Sequence, residues 1–226
     1  MSEFVLPTEQ VKLPSQGYLY PEDSELAKGV IEMKYMTAKE EDILTNQSYI
    51  KNGTVLDKLM KSLIVSKINY DDLLIGDKNA IMVAARILGY GATYTFEYNG
   101  EEQTVDLSEI DNKPLKEELY AARVNEFNFT LPKSKYEVTF KLLTHKDEQD
   151  INRELEGLKK LHKDNAPELS TRLKYIITSI NGDREKKTIR EFVDNYLLAS
   201  DSRALREYVR EIQPDVDLTF FPSGGD

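Results

Sequence analysis

The chain has no cysteine, so thiolate nucleophiles, thiolate zinc sites and disulfides are excluded together, and any chemistry falls to histidine, carboxylates, lysine or hydroxyls. There are two histidines, His145 and His162. A metal site or a general base needs them at ligand or relay spacing, and neither an HExxH pair nor an EF-hand loop is present. His145 stands at an expected helix start. His162 lies near an expected helix end, where a cation suits the dipole. Both are expected at the surface. Gly89-Tyr90-Gly91 has two glycines of a dinucleotide loop, but it follows a helical stretch and lacks the third. Ile75-Gly76-Asp77-Lys78 shares only a glycine and a lysine with a phosphate loop, and Asp77 would repel the phosphate. Carboxylate pairs abound, but a glycosidase-type acid and nucleophile are defined by their separation in a cleft, which linear spacing does not give. No catalytic residue, cofactor site or metal ligand is assigned.

Contact chemistry is better represented. Thirteen tyrosines and no tryptophan supply amphipathic groups of the kind that anchor interfaces. The segment Leu13-Pro14-Ser15-Gln16-Gly17-Tyr18-Leu19-Tyr20-Pro21 is too apolar for an idle linker. Leu13, Pro14, Tyr18, Leu19 and Tyr20 are therefore candidate partner-binding residues, as are Phe220 and Phe221 near the C-terminus. The alternative for the first group is a strap on its own domain. For the two phenylalanines it is ordinary packing.

The elements that would carry these residues can be read from periodicity and punctuation. Pro7, Pro14 and Pro21, with Gly17 between them, predict an extended arm over residues 1–29, because proline cannot donate to a helix ladder. Val30 to Met36 reads as a strand. Thr37 then starts a helix with a capping box to Glu40, which gives Glu40, Glu41 and Asp42 a structural role. Thr54 opens a second helix, and Asp77 is expected to cap a third that ends at Gly89 and Gly91. Thr93 to Tyr98 and Gln103 to Leu107 flank Asn99-Gly100, a hairpin signature. Leu115 to Ala122 reads as a short helix and Glu126 to Leu131 as a strand. A second strand-then-helix opening runs from Tyr136 through Thr144. A helical stripe follows from Leu169 to Ile180, a helix from Thr188, another capped by Asp201, and a closing strand over Val216 to Phe221.

Part of this pattern occurs twice. Met33-Lys34-Tyr35-Met36-Thr37-Ala38-Lys39-Glu40-Glu41 reappears 107 residues later as Phe140-Lys141-Leu142-Leu143-Thr144-His145-Lys146-Asp147-Glu148. Asp77-Lys78-Asn79-Ala80-Ile81 and Arg86 return 124 residues later as Asp201-Ser202-Arg203-Ala204-Leu205 and Arg210, and Thr93-Tyr94-Thr95-Phe96 lines up with Asp217-Leu218-Thr219-Phe220 at that same offset. Two echoes in the same order predict a duplicated unit. The expected fold is therefore α+β and helix-dominant, with two related strand–helices–strand units in tandem. The expected domains are an arm over 1–29, a first unit with its hairpin over 30–132, and a second, more helical unit over 133–226.

Composition narrows the partners. The 226 residues hold 40 acidic and 30 basic side chains, a net charge of −10, with 40% hydrophobic residues. That is apolar enough for a core and too acidic for nucleic acid or an anionic membrane as the main partner. No apolar run reaches the roughly 18 residues of a membrane span. Met1-Ser2-Glu3-Phe4 opens without a basic region before an apolar core, so no signal peptide is expected. The mixed-charge run from Arg184 to Arg190 reads as a solvated helix start.

The pattern Leu13-Pro14-Ser15-Gln16-Gly17-Tyr18 followed by Ile31-Glu32-Met33-Lys34-Tyr35-Met36-Thr37-Ala38-Lys39-Glu40-Glu41-Asp42-Ile43-Leu44 resembles the opening of a baseplate protein family of T-even-type contractile-tailed phages. Asn52-Gly53-Thr54-Val55-Leu56-Asp57, Leu73-Leu74-Ile75-Gly76-Asp77-Lys78 and Ala84-Ala85-Arg86-Ile87-Leu88-Gly89-Tyr90-Gly91 continue the likeness. It is densest over residues 13–98 and weaker through the second unit, including Ser179-Ile180-Asn181-Gly182. The stretch Thr37-x-Lys39-Glu40-Glu41 is also similar to the opening of phage tail assembly chaperones. The resemblance implies a non-enzymatic baseplate hub subunit or hub assembly chaperone, without cofactors. Its expected partners are other baseplate hub and tail proteins, its expected places the host cytoplasm during assembly and the virion baseplate, and an oligomer within the hub is a further expectation. Rival readings are a duplicated α+β adaptor or regulator for a cellular protein and an enzyme with a carboxylate site.

Overall fold

The computed structural model describes residues 5–162 and 166–220. The chain is mixed α+β with helix predominant and small antiparallel sheets. Strands β1 (Thr8–Lys12) and β2 (Val30–Lys34) come first, then helices α1 (Ala38–Thr45), α2 (Gln47–Lys51), α3 (Val55–Leu63) and α4 (Ile75–Tyr90). Strands β3 (Thr93–Tyr98), β4 (Glu101–Asp106), β5 (Phe127–Thr130) and β6 (Glu137–Phe140) follow, then α5 (His145–His162) and α6 (Glu168–Ile176). Strand β7 (Ile177–Ile180) precedes α7 (Lys186–Asn195) and α8 (Ala199–Ile212).

The chain divides into two compact units, but not at the expected boundary. The first takes the described residues within Met1–Tyr70, Gly76–Leu115 and Pro214–Asp226, and the second takes Asp71–Ile75 and Lys116–Gln213. The expected division at 132/133 is thus corrected: β5 belongs with β6, to which it pairs. The expected arm over 1–29 is corrected too. β1 pairs antiparallel with β2 from Thr8↔Lys34 to Lys12↔Val30. The loop between them folds inward, burying Leu13, Pro14, Ser15, Leu19 and Tyr20. The prolines sit in that loop and at the strand's start, where no ladder donor is lost. Gly17 has φ +80°, and a Cβ there would lie 2.3 Å from the Ala27 carbonyl oxygen.

Each unit is built around the same two hydrogen-bonded knots, and these explain the sequence echo. In the first, Glu40 Oε2 accepts from Thr37 N at 3.0 Å and Thr37 Oγ1 at 2.6 Å, while Oε1 accepts from Lys34 Nζ at 2.9 Å. In the second, Asp147 Oδ2 accepts from Thr144 N and Thr144 Oγ1, both at 3.0 Å, and Oδ1 accepts from Lys141 Nζ at 2.7 Å. These are the three positions shared at the offset of 107. The other knot ties a helix to the loop between two strands. Asp77 Oδ1 accepts from Ser15 N at 2.8 Å, and Asp201 Oδ1 accepts from Lys133 N at 2.7 Å. Both loops begin Leu-Pro, at Leu13-Pro14 and Leu131-Pro132. Neither aspartate is the expected N-cap. Each lies inside the first turn of its helix, fully buried.

The strand pattern differs from expectation for a physical reason. In each unit the strand before the box pairs with the strand that precedes it, and also meets the residue that ends the second long helix: Met33↔Ile64 and Phe140↔Ile177. Ile177 and Ile180 therefore lie in β7 rather than on a helical stripe. A β-branched run fits a pleated sheet better than a helix. Asn181 and Gly182, both at positive φ, then turn the chain. Residues 216–220 form no strand; Val216 makes one antiparallel bridge, to Asn112 in the same unit. The expected helix over 115–122 is a single 3-10 turn, Glu117–Tyr120.

Leu26, Ile31, Met33, Met60, Leu63 and Ile81 fill the core of the first unit. Leu131, Phe140, Leu142, Ile151, Leu173 and Leu205 fill that of the second. No helix among the described residues is long and apolar enough to cross a membrane.

Candidate interaction surface

The hairpin β3–β4 belongs to the first unit and, among the described residues, has no counterpart after the second knot of the other: Asp217–Phe220, which the sequence aligns with Thr93–Phe96, form no strand and lie in the first unit. Asn99 and Gly100, at φ 52° and 82°, make its two-residue turn. Positive φ at both positions matches the strands' right-handed twist. The register pairs Tyr94 with Val105, Phe96 with Gln103 and Tyr98 with Glu101. Because side chains alternate along a strand, Tyr94, Phe96 and Tyr98 share one face. Phe220 packs edge-on against it, its ring centroid 5.0 Å from that of Phe96 and 5.7 Å from that of Tyr98. Arg86 fastens the base of the hairpin to α4. Its Nη1 donates to Gly91 O at 2.9 Å, and its guanidinium lies 5.2 Å from the Tyr90 ring centroid and 5.7 Å from that of Tyr94.

The face stays open at its edges. Tyr94 is 44% and Tyr98 43% exposed, and Tyr90, Leu218 and Phe220 are exposed as well. Tyrosine, phenylalanine and arginine gathered on a rigid element are the side chains that carry binding energy at protein interfaces. The opposite face bears Thr95 and Thr104, whose hydroxyls lie 3.2 Å apart, and Glu97 directly opposite Glu102.

The sequence candidates scatter. Leu13, Pro14, Leu19 and Tyr20 are covered by their own unit, and Tyr20 Oη donates to Asp77 Oδ2 at 2.6 Å. They hold the fold and offer a partner nothing, which corrects their assignment as docking residues. Tyr18 is half-buried. Phe220 reaches the aromatic face, and Phe221 lies outside the described residues. The residues that sequence reasoning missed are Tyr90, Tyr94, Phe96 and Tyr98. Their signal was present as Tyr-x-Phe-x-Tyr at the period of a strand.

The buried ionisable groups are held by hydrogen bonds within the fold. His145, expected at the surface, is 2% exposed: its backbone N donates to Leu73 O at 2.7 Å, and Gln149 Nε2 lies 2.9 Å from its Nε2. The side chain of His162 lies outside the described residues. Burial opposes the charge on Glu40, but hydrogen bonds from Ser62, Thr37 and Lys34 outweigh it and bring the pKa down to about 2. Burial pushes the Asp77 carboxyl up despite the Ser15 and Tyr20 hydrogen bonds. For Asp201 burial also acts upward, yet bonds from Ser134 and Lys133 leave its pKa below the usual value. A cleft of about 350 Å³ in the second unit is lined by Lys141, Asp147, Lys174, Tyr175, Arg184 and Arg190 among others. Four of the five cations that line it are paired, Lys141 with Asp147, Lys174 with Asp194, Arg184 with Glu126 and Arg190 with Glu154, each at 2.7 Å; Lys186 is the fifth. Among the described residues no group of three or more His, Cys, Asp or Glu could hold a metal ion.

No known protein family, curated protein or solved structure matches this chain.

Proposed function

We propose that this chain works by binding other proteins, as a subunit or assembly chaperone of the baseplate hub of a T-even-type contractile-tailed phage. The observation that carries the binding role is the exposed aromatic face of β3–β4, built from Tyr94, Phe96, Tyr98 and Phe220 and held by Arg86. The phage assignment is supported by the linear resemblance over residues 13–98. The two units supply a scaffold, and among the described residues the hairpin is present in only one of them.

The test is capture of the tagged chain from phage-infected cells, with the bound proteins identified by mass spectrometry. Hub and tail proteins should be enriched with the wild type. They should be depleted about tenfold or more with the Tyr94→Ser/Tyr98→Ser double variant, as expected for losing two interface anchors, while its far-UV circular dichroism stays unchanged. Enrichment of cellular proteins alone would favour the adaptor reading and overturn the phage one. Mass spectrometry of purified particles separates a retained subunit from a transient chaperone.

A further inference from the structure

The first unit leaves open a place that the second unit fills. Counted from the shared Leu-Pro, Val11 of β1 corresponds to Phe129 of β5; counted from the shared aspartate, Ala84 of α4 corresponds to Tyr208 of α8. The register agrees, since Val11 pairs with Ile31 and Phe129 with Val138. In the second unit the rings of Phe129 and Tyr208 stack between strand and helix, their centroids 5.1 Å apart. In the first unit Val11 and Ala84 stand in their place, and two adjoining clefts of about 360 and 270 Å³ share Gln10, Val11, Ala84 and Ile87 in their walls. The helix differs in the same sense. Where α8 carries Glu207, Tyr208 and Glu211, α4 carries Val83, Ala84 and Ile87, all half-buried along the larger cleft. An apolar patch left partly open to water marks a surface that something else covers.

A strand edge runs beside this groove. Among the described residues β1 pairs with β2 and with no other strand. Tyr35 N donates to Pro7 O and Leu13 N to Gly29 O, so the odd-numbered residues turn their main-chain groups toward β2. Thr8, Gln10 and Lys12 turn theirs outward, and all three are exposed. Side chains alternate along a strand, so a strand laid on this edge would set every second side chain on the face of Val11, toward the clefts.

The rim narrows what fits. It carries Glu9, Lys12 and Asp111, whose charges nearly balance, so neither a basic nor an acidic occupant is selected. A second copy pairing through its own β1 about Gln10 would set its Glu9 into the apolar groove. The match is a neutral, extended segment with large apolar side chains at alternate positions.

We infer that the open edge of β1 and the groove between β1 and α4 take an extended segment of another protein, which adds a strand to β1 and seats alternate aromatic or large aliphatic side chains against Ala84 and Ile87. The outward main-chain groups of Thr8, Gln10 and Lys12 supply the hydrogen bonds of such an addition, and the groove supplies its selectivity. This surface is separate from the aromatic face of the hairpin, and the inference stands without the phage assignment.

The experiment uses the full-length chain and a synthetic peptide, Ser-Thr-Phe-Thr-Phe-Thr-Ser, against its isomer Ser-Thr-Thr-Phe-Phe-Thr-Ser, whose phenylalanines fall on opposite faces of a strand. Titration followed by amide NMR should shift Thr8, Gln10, Lys12, Ala84 and Ile87, and the isomer should bind about tenfold more weakly. The Val11→Phe/Ala84→Tyr variant, which copies the stack of the second unit, should keep the far-UV circular dichroism of the wild type and lose about tenfold or more in affinity. Gln10→Pro removes only an outward N–H, which an edge strand tolerates, and should weaken binding by a similar factor. It separates strand addition from simple filling of the groove, and it serves equally if the double variant fails to fold. No binding by the wild type, equal binding of the two peptides, undiminished binding by either folded variant, or shifts confined to other segments would overturn the inference. A dimer in analytical ultracentrifugation that Gln10→Pro dissociates would assign the edge to a second copy instead.

Discussion

Glu40 is the most exposed of these arguments to a direct test. Its side chain is wholly buried, and four donors converge on it: Ser62 Oγ at 2.6 Å and Lys34 Nζ at 2.9 Å on one oxygen, Thr37 Oγ1 at 2.6 Å and Thr37 N at 3.0 Å on the other. Glu40→Gln keeps the shape but turns one acceptor oxygen into a donor facing donors, and it leaves Lys34, itself only 18% exposed, without its counter-charge. Breaking one side of such a pair costs roughly 3–5 kcal/mol. The pH dependence gives an independent figure. A carboxyl lowered from 4.5 to about 2, at about 1.4 kcal/mol per unit, contributes at most about 3 kcal/mol. Because the folded pKa is the lower one, that contribution is complete above the unfolded value of 4.5 and disappears as pH falls through about 2. The stability gap between wild type and Glu40→Gln should therefore shrink by up to about 3 kcal/mol between pH 6 and pH 2. Urea unfolding followed by circular dichroism measures the gap, and hydrogen exchange of α1 and α3 amides localises it to the first unit. A gap that is constant with pH, or a variant as stable as the wild type at pH 6, would refute the assignment of Glu40 as a charged structural knot.

The two buried aspartates should respond differently to amidation. Asp77→Asn should cost about 1 kcal/mol or less at pH 7, because its Oδ2 partners are the Ser15 and Tyr20 hydroxyls, which can turn to accept. Asp201→Asn should cost about 1–3 kcal/mol, because both its oxygens face backbone amides, Lys133 N and Ser134 N, which cannot. Acidification should also part them. The raised Asp77 pKa means its contribution is greatest below the unfolded value and falls as pH rises through the folded one, while the lowered Asp201 pKa means its contribution is lost as pH falls; urea midpoints of the two variants across pH 3 to 7 measure both. Gly76→Ala should unfold the first unit or cost more than about 3 kcal/mol, since its Cβ would stand 1.7 Å from the Pro214 carbonyl oxygen. Gly157→Ala, in α5 with open space around it, should instead stabilise by about 0.5–1 kcal/mol, both read from thermal melts.

The features legible in the sequence were those whose bonds close within a few residues. The Thr37–Glu40 and Thr144–Asp147 boxes and the Asn99-Gly100 and Asn181-Gly182 turns are local, so residue type and spacing specify them completely. The repeated lysine was visible as well, since Lys34 and Lys141 each lie six residues from their carboxylate. What remained hidden depends on partners remote in sequence. The supposed arm is a strand and a buried loop only because Val30–Lys34 returns to pair with it and Asp77, 62 residues from Ser15, holds its backbone. Asp201 looked like a cap because its true partners lie 67 and 68 residues away. His145 is buried by a segment around Leu73 that no helix periodicity indicates. A run such as Ile176-Ile177-Thr178-Ser179-Ile180 is apolar enough for helix or strand, and the free edge of β6 decided it. The aromatic alternation of Tyr94, Phe96 and Tyr98 was likewise plain in the chain, but alternation fixes only a shared face. Whether that face is core or open surface depends on what packs against it. Here Phe220, from the far end of the chain, covers part of it and leaves the tyrosines exposed.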